Sequence, residues 1–88
     1  PLLGAAANGH TEIARALIDA GADFNSSNQD GVTPLLGAAA NGHTEIARAL
    51  ITAGADFNSG NHDGITPLHA ATVNGYTEIV SILISAGA

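Results

Sequence analysis

Apolar and polar positions along the chain follow the pattern of two short helices joined by a tight turn. From residue 34, the spacing of Leu35, Ala38 and Ala39 predicts the buried side of a first helix about two turns long. Asn41 and Gly42 predict its end, because both residue types tolerate the left-handed backbone conformation that terminates helices.

A second helix is predicted from about Thr44 to Gly54. Its apolar residues fall at the i, i+1, i+4 and i+5 positions that form one stripe on a helix, and they are Ile46, Ala47, Leu50 and Ile51. The residues from 56 to 64 are rich in Asn, Asp, Ser and Gly, which favour turns. The pattern therefore predicts a unit made of a helix, a tight turn, a helix and a longer turn.

Threonine and proline mark the start of the first helix. Thr33 stands before Pro34, and Thr66 stands before Pro67. A threonine oxygen can accept a free backbone N–H at a helix start, and proline at the first helical position has no N–H to leave unpaired.

The unit recurs along the chain with an offset of 33 residues, which brings Pro1, Pro34 and Pro67 into register. The units are 1–33, 34–66 and the shorter 67–88. Units 1 and 2 differ only at four pairs of positions: Asp19/Thr52, Ser27/Gly60, Gln29/His62 and Val32/Ile65. Such short helices are marginal alone, so we expect each unit to bury its apolar face against the next.

Composition narrows the classes of partner. The formal net charge is −6, which repels phosphate backbones and argues against a nucleic-acid partner. The absence of cysteine excludes disulfides and thiolate metal sites. No apolar run approaches the ~18 residues of a membrane span, so we expect a soluble chain without a membrane partner.

The segment DGVTPLLGAAANGHTEIARALITAGADFN, residues 30–58, resembles the ankyrin repeat. The segment 63–88 is similar and keeps the T-P-L-H box of that family, ending in His69. The resemblance covers the whole chain and implies one domain, 1–88. Its fold would be an all-α ankyrin-repeat solenoid of stacked helix-turn-helix units with protruding β-turn or hairpin loops.

Several positions depart from the family pattern. Leu3 and Leu36 replace the box histidine, whose role in the family, as the resemblance implies, is to tie the backbone of the box across repeats. His69 keeps this histidine and is expected to be structural. Asn28 and Asn61 stand where the family often has Asp, so a neutral acceptor replaces a charged one at the loop tip. These changes affect local hydrogen bonding and leave the helical pattern intact.

The resemblance implies a protein-protein interaction module that binds a protein or peptide through loop tips and the concave face of the first helices. By position, the candidate binding residues are Ser27, Gln29, Asp30, Val32, Ala40, Asn41, Gly60, His62, Asp63, Ile65, Val73 and Asn74. Asp30 and Asp63 would best suit a basic or apolar peptide surface. Three of the four differences between units 1 and 2 fall in this set, through selection for binding or through the tolerance of loops to substitution.

The sequence shows no pattern typical of a catalytic, metal or cofactor site. His10 and His43 occupy equivalent places one unit apart, too far to share a zinc ion, whose ligands lie ~4 Å from one another. No serine stands in a G-x-S-x-G pattern, and no glycine-rich phosphate loop is present. The chain is therefore expected to be neither an enzyme nor a metal or cofactor protein.

Two patterns in the loop that follows the second helix resemble modification sites. Asn25 begins an N-x-S sequon, although the resemblance implies an intracellular, cytoplasmic setting and a structural role for this side chain. The Leu, Asp, Asn spacing in 17–25 and 50–58 also looks like the pattern read by an asparagine hydroxylase of ankyrin repeats, which would make Asn25 and Asn58 its targets.

An alternative function is structural. The chain starts inside one unit and stops inside another without polar capping units, as in an interior fragment or an engineered array. Leu2, Ala5 and Ala6 of the first helix are then expected to face solvent or another molecule. The main tendency of such a chain would be head-to-tail self-association.

Overall fold

The computed structural model describes residues 2–88, and these form six helices in three pairs. The pairs are α1 (Leu2–Ala7) with α2 (Thr11–Asp19), α3 (Pro34–Asn41) with α4 (Thr44–Ala53), and α5 (Pro67–Val73) with α6 (Thr77–Ala86). No strand occurs within residues 2–88. The helix-turn-helix unit expected from the sequence is therefore present, with the predicted bounds.

The first helices of units 2 and 3 begin at the Thr-Pro pairs. The Thr33 Oγ1 accepts a hydrogen bond from the Leu36 N–H at 3.2 Å, and the Thr66 Oγ1 accepts one from the His69 N–H at 3.3 Å. Each bond satisfies one of the N–H groups that a helix start leaves free. The predicted role of the Thr-Pro pairs is confirmed.

Two glycines end the helices of unit 2. Gly42 closes α3 with φ of 76°, and Gly54 closes α4 with φ of 101°. Only glycine adopts this left-handed region without a steric penalty, and in each case its N–H bonds a carbonyl of the preceding turn. The two predicted helix stops are confirmed.

The units stack in a line. The first helices form one layer, in which α3 packs between α1 and α5, and the second helices form another, in which α4 packs between α2 and α6. The core lies between the layers and includes Leu35, Ile46 and Leu50, all fully buried. Ala38, Ala39 and Ala47 are buried as predicted, and Ile51 is half-buried at the edge of the core.

The prediction for the first helix of unit 1 is wrong. Leu2, Ala5 and Ala6 were expected to face solvent, but they are only 4%, 5% and 0% exposed. They belong to the same buried cluster as Ala14 of α2, because this side of α1 faces the core of its own unit. The uncovered apolar surface of unit 1 lies instead on its second helix, where Ile13 is 56% exposed.

No helix within residues 2–88 combines the length and the apolar character that crossing a bilayer requires.

Candidate functional site

The loops that join the units are tight turns held by asparagine. In the first loop, the Asn28 Oδ1 accepts the N–H groups of Asp30 at 2.9 Å and Val32 at 3.0 Å. The Asn61 Oδ1 binds the second loop in the same way, with distances of 2.9 Å and 3.0 Å. A neutral amide oxygen thus supplies the acceptor that the turn needs, and local hydrogen bonding survives the replacement of Asp.

Successive loop tips are joined to each other. The His62 N–H donates to the Asp30 carbonyl oxygen at 3.0 Å. The imidazole of His62 lies over Gly31, where an added Cβ would come within 2.8 Å of the ring. This stacking fixes the loops side by side and leaves the side chains of Gln29, Asp30 and Asp63 exposed.

A groove of about 390 Å³ runs between these loops and the first helices of units 2 and 3. Most of the residues that line it are apolar. The complete lining is Ala7, Val32, Leu36, Gly37, Ala40, Asn41, Asn61, Ile65, His69, Ala70, Val73 and Asn74. A concave, mainly apolar surface with a few polar groups at its rim is typical of binding sites.

The structure divides the twelve candidate residues into two groups. Six line the groove together: Val32, Ala40, Asn41, Ile65, Val73 and Asn74. The other six stand on the loops outside the groove lining: Ser27, Gln29, Asp30, Gly60, His62 and Asp63. Ser27 lines a separate cleft together with residues that include Asp23 and Pro34.

Sequence reasoning missed six of the twelve lining residues, and two of these are Leu36 and His69. Both occupy the last position of the T-P-L-H box, where the family resemblance predicts only a lost or retained link to the backbone. Leu36 is buried at the groove floor, and the exposed imidazole of His69 forms no hydrogen bond within residues 2–88. The structure therefore gives no support to the structural role predicted for His69. The signal that could have identified both groove residues is their position in the repeat, not their residue type.

Asparagines at equivalent positions form a ladder along the rim. The Nδ2 groups of Asn8, Asn41 and Asn74 donate to carbonyl oxygens four residues earlier in the chain, at 2.8, 2.9 and 2.9 Å. Asn74 also reaches the Ala40 carbonyl oxygen of the preceding unit at 3.4 Å. These bonds fix the amide orientation, so that the Oδ1 atoms remain available on the surface.

His43 joins units 1 and 2. Its Nε2 lies 3.1 Å from the Ala7 carbonyl oxygen, and its ring packs so closely on Gly9 that a Cβ there would come within 2.7 Å. In unit 3, Tyr76 packs on Gly42 in the equivalent place. Within residues 2–88, no group of His, Asp and Glu is arranged to hold a metal ion.

The chain's two cationic side chains lie away from the groove. Arg15 and Arg48 line a cleft of about 290 Å³ formed by α2 and α4, the layer of second helices. The closest acidic group to Arg48 is Glu78, at 3.9 Å in an exposed pair that contributes little to stability. The groove side of the molecule therefore carries no lysine or arginine.

Paired helices that stack in line and are joined by tight loops define a helical repeat solenoid. The family model for ankyrin repeats, in three copies, matches residues 2–88, so the chain belongs to the ankyrin repeat family. Members of this family are generally protein-protein interaction modules and are typically not catalysts. A search of curated proteins gave no match.

Proposed function

We propose that residues 1–88 act as one domain that binds a protein or peptide through the loop tips and the concave face of the first helices. The twelve candidate residues form this surface, with the groove as its centre and the loop tips as its rim. We expect the domain to act inside the cell, in the cytoplasm, without a cofactor and without catalysis.

The observation that carries this proposal is the apolar groove of about 390 Å³. Its side chains come from all three units, and hydrogen bonds join consecutive units beside it, from the His62 N–H to the Asp30 carbonyl and from the Asn74 Nδ2 to the Ala40 carbonyl. A preorganised surface binds more tightly than a flexible one, because less conformational freedom is lost on association.

A selection of random displayed peptides on the immobilised chain tests the proposal. Recovered peptides should bind the wild type and lose affinity for the double variant Asp30→Lys, Asp63→Lys. The matched control is Glu12→Lys, Asp19→Lys, which makes the same change in net charge on the exposed surface of α2. If the selection recovers no peptide, or if both double variants bind equally well, this surface is not the binding site.

Self-association through the ends of the solenoid is a second candidate. It is favoured by the exposure of two aliphatic side chains on second helices, Ile13 at 56% and Ile84 at 57%. Head-to-tail stacking would bury both and would continue open-ended rather than close as a dimer. Sedimentation over a range of concentrations should then show species larger than a dimer that Ile13→Glu abolishes, whereas a strict monomer at high concentration would count against stacking.

A further inference from the structure

The groove also indicates the chemistry of its partner. We propose that it binds an extended peptide segment in which one branched aliphatic side chain is flanked by lysine or arginine. This inference rests on the proposed function, and it adds the kind of segment and its placement between units 2 and 3. Three independent features of the groove support it: its apolar floor, the amides at its rim and the charges at its loop tips.

The apolar floor and walls provide a seat for one aliphatic side chain. Leu36 forms the floor, Val32 and Ile65 approach from the loops, and Val73 stands on α5 with 70% of its surface exposed. Burying such exposed apolar surface against an aliphatic ligand group is favourable at ~25 cal/mol per Å². Units 1 and 2 carry only alanine where unit 3 has Val73, so the aliphatic wall is specific to the junction of units 2 and 3.

The rim amides suit a peptide backbone. Because the Nδ2 groups of Asn41 and Asn74 are bound to helix carbonyls, each side chain offers its Oδ1 as an acceptor. Asn61 is arranged in the opposite sense, because its Oδ1 binds the loop and its Nδ2 forms no hydrogen bond within residues 2–88. An extended segment presents one N–H and one C=O per residue, and the rim has partners for both.

The charges select a cationic segment. The carboxylates of Asp30 and Asp63 stand at the two loop tips, and Asp30 accepts no hydrogen bond with its carboxylate within residues 2–88. Both arginines of the chain lie on the layer of second helices, and the formal net charge is −6. Lysine or arginine beside the aliphatic anchor would be attracted to these carboxylates, whereas an acidic segment would be repelled.

Three synthetic peptides test this chemistry on the 88-residue chain: KKLKK, KKAKK and EELEE, each acetylated and amidated. Their affinities can be measured from amide chemical shifts during NMR titration, which also locates the binding surface. We expect KKLKK to shift groove amides and to bind about tenfold more tightly than KKAKK, since the anchor loses most of its apolar surface. EELEE should not bind.

Matched variants separate the anchor from the charges. Val73→Ala should weaken KKLKK several-fold, and Ile84→Ala, which truncates another exposed aliphatic side chain outside the groove, should leave its affinity unchanged. Asp30→Asn with Asp63→Asn should weaken binding and reduce its dependence on salt, because fewer charge pairs remain to be screened. Glu12→Gln with Asp19→Asn is the control for net charge.

The outcomes distinguish this inference from the proposed function. Equal affinity of KKLKK and KKAKK, or insensitivity to Val73→Ala, would mean nonspecific attraction to an acidic surface and would overturn the inference. Groove-dependent peptides from the random selection that are acidic or lack an aliphatic residue would also overturn it, while the binding function would stand. If no selected peptide depends on the groove, the proposed function fails as well.

Discussion

Units 1 and 2 contain the same eighteen letters, at 1–18 and 34–51, yet identical side chains in them have different surroundings. Ile46 is fully buried, whereas Ile13 is 56% exposed. Leu50 is buried and Leu17 is half-buried, and Gly37 is buried where Gly4 is exposed. Local sequence is constant in this comparison, so the neighbouring unit determines how much each residue is buried.

The comparison shows where the stability of a solenoid arises. In unit 2, α3 packs between α1 and α5, and α4 packs between α2 and α6. Within residues 2–88, the helices of unit 1 have a neighbouring unit on one side only. Complete burial of an aliphatic side chain is favourable by ~1.5 to 3 kcal/mol. The same isoleucine should therefore contribute much more in unit 2 than in unit 1.

The largest difference is expected for the two isoleucines. Ile46→Ala should reduce the free energy of unfolding by about 3 kcal/mol, because it leaves a cavity in a fully packed position. Ile13→Ala should cost less than about 1 kcal/mol, because much of its side chain is already in water. Urea unfolding measures both values.

If Ile46→Ala prevents folding, the milder pair Ile46→Val and Ile13→Val gives the same comparison. Ile46→Val should reduce the free energy of unfolding by about 1 kcal/mol, and Ile13→Val should leave it almost unchanged. Equal losses in either pair would contradict the role assigned to the neighbouring unit.

Alanine in place of the helical glycines should have opposite effects in the two units. An added Cβ at Gly4 meets no atom within 4 Å, so Gly4→Ala should stabilise the chain by about 0.5 to 1 kcal/mol through helix propensity. At Gly37 it would come within 3.2 Å of Leu3 and 3.3 Å of Ala7. Gly37→Ala should therefore destabilise by about 1 kcal/mol, and thermal unfolding that shows the same sign for both would disprove the close packing of α3 on α1.

The equivalent histidines of units 1 and 2 differ in one hydrogen bond to the neighbouring unit. His43→Ala removes the contact with the Ala7 carbonyl and should cost about 1 kcal/mol, whereas His10 is exposed and His10→Ala should change stability by less than about 0.3 kcal/mol. Chemical unfolding of both variants at one pH gives the test. A loss for His10→Ala as large as that for His43→Ala would show that the residue acts within its own unit.

Much of the fold was predictable because it repeats. The Thr-Pro helix starts, the glycine stops at Gly42 and Gly54 and the buried stripe of unit 2, apart from the half-buried Ile51, follow from local rules and were confirmed. These features need only the chain within a few residues of the position in question.

Other features depend on distant residues and were beyond sequence reasoning. Leu2, Ala5 and Ala6 were assigned to the wrong side of α1, because an apolar helix face can point into its own unit or toward a neighbour. The groove role of Leu36 and His69 was missed for a related reason: it appears only when loops and helices of different units are brought together.

The smallest effect is expected from a loop hydrogen bond. The Asn25 Oδ1 accepts the Asp56 N–H of the next unit at 2.8 Å, which agrees with its predicted structural role, so Asn25→Ala should cost about 0.5 kcal/mol. Asn58 makes no such side-chain contact within residues 2–88, and Asn58→Ala should be neutral. Precise urea midpoints can resolve this difference, and a neutral Asn25→Ala would show that the bond contributes nothing.

Hydrogen exchange of the backbone amides tests most directly the claim that neighbouring units stabilise identical segments unequally. The sequence TEIARALI occurs in both α2 and α4, so intrinsic exchange rates are the same and any difference reports stability. The amides of α4 should exchange at least about tenfold more slowly than their counterparts in α2. Equal protection in the two helices would show that the neighbouring units do not stabilise the identical segments unequally.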